Sequence, residues 1–333
     1  MQLVTARSVA RGQPLVSVLL SVQGYRQFFE AKYAELDAGL LSQHRDVFPA
    51  DMYSYDRFLW AVGTVRARTH APLDGAASAL VPLADLAAHR RGAPQWRAGG
   101  GLFGRGQAVT LEAERDYAAG ELVDMDYGAG KLDSQVLLDH GVLDADSPQG
   151  GFVLNLELPP EDRFFDDKAD ILEQSGLTTD AQFTLLVDRE PSEQLLGFLR
   201  LLNLSGMDAF LLEPLFRNEA WGFMLAPVSE ANERAVYQSM ADGCRAALQG
   251  YAGGIEADLR AARSTPPGSR LAMAVQVRLG EKEALDSTLR WFEARADRIA
   301  SLEFYQERRL KTLGLLDDDG ASTYDTFFKD GIA

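Results

Sequence analysis

Glu121-Leu122-Val123-Asp124-Met125-Asp126-Tyr127-Gly128 decides how the first half of the chain reads. Glu121–Met125 has the length and residue types of a short strand, and Gly128 marks the turn that ends it. Tyr127 therefore stands at a strand end, where a tyrosine buries its ring and keeps its hydroxyl near water. The surrounding texture is the same from about residue 79 to 158. Short runs punctuated by glycine predict strands over Ala79–Leu83, Gln107–Ala113 and Phe152–Leu158. Leu132–Leu138 fits one helical turn or two. Asp180 and Gln182 follow Thr179 in a pattern that fits a capping box and predicts a helix start there.

Outward from this block the spacing turns helical. Tyr25, Phe28, Phe29, Tyr33, Leu36 and Leu40 recur at three and four and predict a helix over 24–48. Ser54 is a natural N-cap for a second helix over 54–68. Upstream, Leu3–Ala6 and Leu15–Val18 around the turn Arg11-Gly12-Gln13-Pro14 predict a strand pair. No acidic residue precedes Glu30, while Arg7, Arg11 and Arg26 do, a composition that also resembles a transit peptide. Beyond Pro159-Pro160 the chain reads helical almost to its end, with amphipathic stretches over Gln194–Leu212 and Glu230–Leu248. Glu281–Leu313 contains no Gly or Pro. Its Leu285, Leu289, Phe292, Ala296 and Ile299 form a seam spaced 4-3-4-3. One long helix packed on its own bundle explains that seam better than an intermolecular coiled coil, and Gly314 is the expected stop.

The chain has 333 residues, 46% hydrophobic and 25% charged, an ordinary composition for a globular protein of about two domains. The single Cys244 excludes an internal disulfide and a cysteine-rich zinc site, and points to a reducing compartment. No run of about 20 apolar residues exists to span a membrane. The net charge of −16 argues against nucleic-acid binding, because phosphate affinity comes from Lys and Arg. The charge is uneven: residues 1–150 carry 14 Lys+Arg against 18 Asp+Glu, and residues 151–333 carry 19 against 31. All four histidines, His44, His70, His89 and His140, lie in the first part, so histidine-dependent chemistry belongs there.

Two motifs fail on context. Gly99-Gly100-Gly101-Leu102-Phe103-Gly104 spells a dinucleotide fingerprint, but a strand-like run follows it where a helix is required. A glycine-rich hairpin loop fits better. His89 follows Asp85 by four residues, yet no second His or Cys stands nearby and Arg90 and Arg91 repel a cation, so no metal site is expected.

The order of segments is more specific. Phe58–Arg68 is followed by Leu80-Val81-Pro82-Leu83-Ala84-Asp85-Leu86-Ala87-Ala88-His89, then Ala119-Gly120-Glu121-Leu122, Asp126-Tyr127-Gly128 and Leu137-Leu138-Asp139-His140-Gly141. In the second part come Phe164–Asp170, Asp208–Glu213, Trp221-Gly222 and Tyr305–Lys311. This ordered set resembles the SET-domain methyltransferases of the Rubisco large-subunit methyltransferase (Rubisco LSMT) type. The resemblance implies an α+β fold: a strand-rich SET domain of β-clip type with a knotted crossing over 1–158, then an all-α substrate-binding domain over 159–316 and an acidic tail over 317–333. It implies methyl transfer from S-adenosylmethionine to a lysine of a protein docked on the helical domain, by a monomer in a chloroplast. A lysine must lose its proton to attack, and its free pKa is about 10.4. By resemblance Tyr127 is the catalytic tyrosine, and Ala88 and His89 stand at the cofactor-binding Asn-His pair. Arg68, Asp85, His140 and Trp96 stand on the substrate side.

The chain departs from the family pattern at four points. Ala88 replaces the Asn of Asn-His, His140 replaces the tyrosine of L-D-Y-G, and Trp96 stands where another channel aromatic is expected. The chain opens at Met1-Gln2-Leu3-Val4 without the family's glycine-rich cofactor strand, which makes a shortened cofactor lobe the expectation. These departures keep a second reading open, a catalytically inactive protein-binding module acting through its helical domain.

Overall fold

Pro14 occupies the first position of a helix that runs Pro14–Leu36, here α1, and widens into a π turn over Asp37–Leu41. A missing N–H costs nothing at a helix N-terminus, and proline presets φ for helix. The strand expected over Leu15–Val18 is therefore corrected to helix: no breaker separates Pro14 from Gly24, and the helical rhythm read from residue 24 extends upstream. The structure, a computed structural model, describes residues 14–69, 80–100, 107–214, 216–305 and 308–309. The expected strand Leu3–Ala6, the loop 101–106 and Gly314 with the acidic tail lie outside the described residues.

In chain order there follow α2 (Tyr55–Arg68), the two-residue β1 (Ala88–His89), β2 (Arg97–Gly100), β3 (Gln107–Thr110), β4 (Asp124–Met125) and α3 (Asp133–His140). Next come β5 (Gly151–Glu157), α4 (Phe165–Gln174), β6 (Asp180–Leu186), α5 (Glu193–Leu202), α6 (Ala220–Met224), α7 (Glu230–Gln249), α8 (Ile255–Ser264) and α9 (Arg270–Ala296). The chain divides into two units. One takes Pro14–Gly150 and Ile255–Glu281; the other takes Gly151–Gly254 and the described residues from Lys282 on.

In the first unit Ser54 caps α2, its Oγ accepting from the Arg57 N–H. Tyr33 of α1 packs its ring against Tyr55 and Phe58 of α2, at 5.4 and 5.5 Å between centroids. β2 and β3 pair antiparallel with Gly100 opposite Gln107, the hairpin expected around the glycine run. β1 and β4 pair in parallel, Ala88 opposite Asp124 and His89 opposite Met125. A parallel pair needs a long crossover, and here the β2–β3 hairpin lies within it. The expected strand Ala79–Leu83 is corrected: residues 80–83 form no strand, Pro82 lacks the N–H a ladder requires, and Leu83 turns with φ of 74°. Gly150 and Gly280 meet backbone to backbone, so a Cβ on Gly150 would lie 2.6 Å from the Gly280 Cα.

In the second unit β5 pairs antiparallel with β6 over its whole length, from Gly151 opposite Leu186 to Glu157 opposite Asp180. This corrects the helix start read at Thr179. Ala181, Phe183 and Leu185 alternate with polar or exposed neighbours, a period of two that the partner strand selects over the local capping spelling. The amphipathic stretch Gln194–Leu212 also breaks. α5 ends at Leu202, where the Asn203 side chain bonds back to the Leu199 carbonyl (2.7 Å), and a 3₁₀ stretch, Gly206–Leu212, begins at a glycine with φ of 58°. α9 starts at Arg270, earlier than read, behind Ser269, whose Oγ accepts from the Ala272 N–H. It ends at Ala296 without any Gly or Pro, passing into a 3₁₀ turn over Ile299–Ser301. Leu285, Phe292 and Ile299 of the seam are buried in this unit's own core with Phe198, Leu199, Val236 and Met240. The core also encloses Arg200, which bonds Glu233, and Lys168, which reaches Asp162 (2.9 Å) and the Leu202 carbonyl (3.0 Å). Paired in this way, charges tolerate burial.

Cys244 lies in that core, and burial pushes its thiol up to about 12. A thiol so protonated and enclosed is inert. An aromatic disulfide reagent at pH 8 is expected to label Cys244 only after denaturant is added; fast labelling of the native protein would contradict this packing.

Candidate functional site

Tyr127 follows β4 by two residues, at the point where the strand leaves its parallel pairing with β1. The pairing sets its surroundings. The Ala88 N–H donates to the Val123 carbonyl (2.9 Å) and the Arg90 N–H to the Met125 carbonyl (3.1 Å). The register brings His89 beside the residues that follow Met125. The Tyr127 N–H accordingly donates to His89 Nδ1 (3.3 Å), and the two rings lie 4.9 Å apart. The His140 ring lies 4.8 Å from Tyr127 on a separate element, the last turn of α3. The tyrosine is thus grouped with two imidazoles.

Its hydroxyl donates to the Ala87 carbonyl (2.7 Å). Burial raises the Tyr127 pKa above its ordinary value, with Asp85 adding to the rise and the Arg68 cation opposing it, so the hydroxyl stays protonated and a donor at neutral pH. Arg68, in the last turn of α2, donates to the Asp85 carbonyl (2.8 Å) and pairs with its carboxylate (3.6 Å). Asp85 sits in a single 3₁₀ turn, Ala84–Leu86. Trp96, half-buried, stands one residue before β2, on the segment joined to the site where Asp126 N–H donates to the Pro94 carbonyl (3.2 Å).

The two histidines are held in opposite tautomers. A backbone N–H donates to His89 Nδ1, so neutral His89 carries its proton on Nε2. That Nε2 is buried and meets no hydrogen-bond partner among the described residues. His140 Nδ1 lies 3.0 Å from the Ala67 carbonyl, which can only accept, so its proton is on Nδ1. Its Nε2 faces Lys131 Nζ at 3.5 Å, and Lys131 also bonds Asp139 (3.0 Å), which in turn pairs with Arg66 (3.0 Å). Burial lowers the His140 pKa first, Lys131 and His89 acting the same way against the Ala67 carbonyl and Asp139, so the ring is neutral at pH 7.

The supporting residues are ones the sequence reading passed over. Asp126 is buried; one carboxylate oxygen accepts from the Gly128 N–H (3.0 Å) and the other from the Gly92 N–H (2.9 Å), fixing the turn on either side of Tyr127. The Asp-x-Gly spelling at 126–128 was the available signal for such a turn. Arg91 is a hub. Its guanidinium reaches the carbonyls of Lys131 (2.8 Å) and Ser147 (3.0 Å), the Gln149 side chain (2.8 Å) and the buried carboxylate of Asp133 (2.7 Å). Gln276 of α9 completes it, bonding Asp133 (2.8 Å) and the Asp144 carbonyl (3.1 Å). Among the described residues no group of three or more His, Cys, Asp or Glu is placed to hold a metal ion, and no helix is long and apolar enough to cross a membrane.

Residues 159–285 match the Rubisco LSMT substrate-binding family. The chain is 33% identical over 318 residues to the chloroplastic [fructose-bisphosphate aldolase]-lysine N-methyltransferase of Arabidopsis thaliana. It is 34% identical over 319 residues to the chloroplastic ribulose-1,5 bisphosphate carboxylase/oxygenase large subunit N-methyltransferase of Nicotiana tabacum. These alignments cover 93% and 94% of this chain and 64% of each relative, so the chain spans somewhat less than two thirds of their length. The crystal structure of the SET domain of LSMT bound to lysine and AdoHcy superposes with a TM-score of 0.79 at 34% identity, over 91% of this chain and 70% of that one. Fold, core motifs and identity agree: the chain belongs to the Rubisco LSMT family of SET-domain proteins.

Proposed function

We propose that this protein is a protein-lysine N-methyltransferase that uses S-adenosylmethionine and acts on a plastid protein, with the Rubisco large subunit and fructose-bisphosphate aldolase as the first acceptors to test. The observation that carries the reading is the cluster of Tyr127, His89 and His140 at the β1–β4 pairing, in a chain similar to the named methyltransferases. We further propose that residues 1–158 act as the SET domain, that 159–316 dock the substrate protein, that 317–333 form an acidic tail, and that the protein works as a monomer in a chloroplast.

The residues fit the cofactor in a specific way. Ala88 contributes no polar side chain, and its N–H is committed to Val123. His89 Nε2–H is a buried donor with no acceptor among the described residues, and a buried polar group of that kind calls for a partner. His89 is thus the side chain of this pair that would hold the cofactor. When bound, S-adenosylmethionine supplies a methyl group on a positively charged sulfur. Tyr127, kept protonated and anchored at Ala87, orients the acceptor amine and excludes water with its ring. Arg68 and Asp85 flank it on the substrate side. Positioning of this kind supplies most of the rate in an in-line transfer.

Calorimetric titration with S-adenosylhomocysteine tests the cofactor half. One-site binding is expected, about five- to tenfold weaker in His89→Leu, the worth of one hydrogen bond to a buried donor. Absence of binding by the wild type would contradict the proposal.

A further inference from the structure

We propose that Lys131 is a positioning residue: it straps the segment that carries Tyr127 to the last turn of α3 and so holds the tyrosine ring in place for methyl transfer. This rests on the methyltransferase reading and adds a residue that the order of motifs does not mark. Tyr127 follows a strand of only two residues, which fixes a side chain poorly by itself. Its hydroxyl is anchored at Ala87, its N–H at His89 Nδ1, and the flanking turn at Asp126. Two further neighbours are the adjoining Gly128 and the His140 ring, and Lys131 meets both. A Cβ on Gly128 would lie 2.6 Å from Lys131 Cδ and 2.9 Å from both Cγ and Cε, so only glycine leaves room for the lysine stem. The stem is tied at both ends. At its base the Lys131 N–H donates to the Gly128 carbonyl (3.1 Å), and the Lys131 carbonyl accepts from Arg91 (2.8 Å). At its tip the ammonium donates to Asp139 (3.0 Å) and faces His140 Nε2 at 3.5 Å. Arg66 of α2 holds Asp139 in turn (3.0 Å).

An ordinary surface ion pair would explain less. The Lys131 and Asp139 side chains are 31% and 33% exposed, and a pair so open to water adds little to stability. Such a pair has no reason to run its stem across a glycine or to end beside an aromatic contact. Here the His140 ring lies 4.8 Å from Tyr127, with Nδ1 on the Ala67 carbonyl and Nε2 on Lys131. With both nitrogens engaged the imidazole cannot turn, and Tyr127 leans on a fixed plane. Removal of the ammonium frees the stem to leave Gly128 and the imidazole to rotate, so the tyrosine loses restraint on both sides. A displacement of about 1 Å in a group that orients reactants costs up to about 100-fold in rate.

Two readouts test this. For activity, the full chain is assayed with S-adenosylmethionine and, separately, aldolase and the Rubisco large subunit. Lys131→Met keeps an apolar stem and removes the ammonium. Its kcat is expected to be about tenfold lower, while the S-adenosylhomocysteine dissociation constant and the melting temperature stay close to wild type. Lys131→Arg restores the cation and is expected to recover most of the rate. Unchanged kcat in Lys131→Met, a fall matched by equal losses of cofactor affinity and melting temperature, or no recovery in Lys131→Arg would overturn the proposal. Nitrogen NMR of His140 in the ligand-free protein reads the strap without any transfer. Burial lowers this ring's pKa first, Lys131 and His89 add to the fall, and the Ala67 carbonyl and Asp139 oppose it. Lys131→Met is therefore expected to raise the His140 pKa. An unchanged His140 titration would overturn the proposal whatever the assay gives. No transfer by the wild type to either acceptor would remove the methyltransferase reading, and the titration then decides the strap by itself.

Discussion

Tyr127→Phe is expected to lower kcat for methyl transfer by about 100-fold or more, while cofactor affinity changes little. The hydroxyl is the one polar atom of the ring, and removal of a single oriented donor from an active site costs on the order of 10² to 10³ in rate. Loss of its bond to the Ala87 carbonyl costs only about 1 kcal/mol of stability, so folding survives. The measurement is a comparison of kcat with the S-adenosylhomocysteine dissociation constant and the melting temperature. A variant with unchanged kcat would take Tyr127 out of the mechanism. A variant that loses cofactor binding in proportion would make the hydroxyl a binding group instead.

Arg91→Ala is expected to destabilise the protein by about 3 to 5 kcal/mol, the cost of leaving a buried charge unpaired. The guanidinium is 10% exposed and the Asp133 side chain 3%, so water cannot replace the lost partner. The Lys131, Ser147 and Gln149 acceptors lose their donor at the same time. Chemical denaturation followed by circular dichroism reads the loss; a shift below about 1 kcal/mol would mean the hub is not cooperative. The same region makes the fold acid-sensitive. Burial acts to raise the Asp144 pKa, but backbone N–H donors from Arg91, Asp146 and Ser147 outweigh it and hold the carboxyl below its ordinary value. A depressed carboxylate stabilises the fold above its unfolded pKa of about 3.9, and that contribution is lost as pH falls through the folded value. His140 adds to this at higher pH. Below about 6.5 the unfolded chain takes up a proton that the folded ring resists, so stability declines as pH drops.

The sequence and the fold agree where the signal is local and periodic. α2 with its Ser54 cap, the β2–β3 hairpin around the glycine run, β5 and α7 all follow from spacing and end signals. The seam from Leu285 to Ile299 packs into its own unit, because a stripe that narrow is buried by neighbouring helices before a second chain is needed. Disagreement arises where two local rules compete. Thr179–Gln182 satisfies a helix-start pattern, yet β5 offers a complete ladder, and the alternating Phe183 and Leu185 join it. Leu15–Val18 has β-branched residues, yet Pro14 begins a helix there. The site itself was legible only through the order of its motifs. Its support was not. Arg91 meets Asp133 across 42 residues, and Gly92 meets Asp126 across 34. Polar pairs at such separations leave no period in the sequence, and Arg91 was read only as a charge that repels metals. His140 shows the other side of this. By motif it is a departure from a tyrosine, whereas the fold holds its ring against Tyr127 between the Ala67 carbonyl and Lys131.

The most direct measurement incubates the full chain with S-adenosylmethionine carrying a labelled methyl group and, separately, the Rubisco large subunit and chloroplast aldolase, followed by peptide mapping. Label is expected on a lysine of at least one acceptor, strongly reduced with Tyr127→Phe. No label on any lysine of either acceptor, from a protein that folds and is given saturating cofactor, would contradict it.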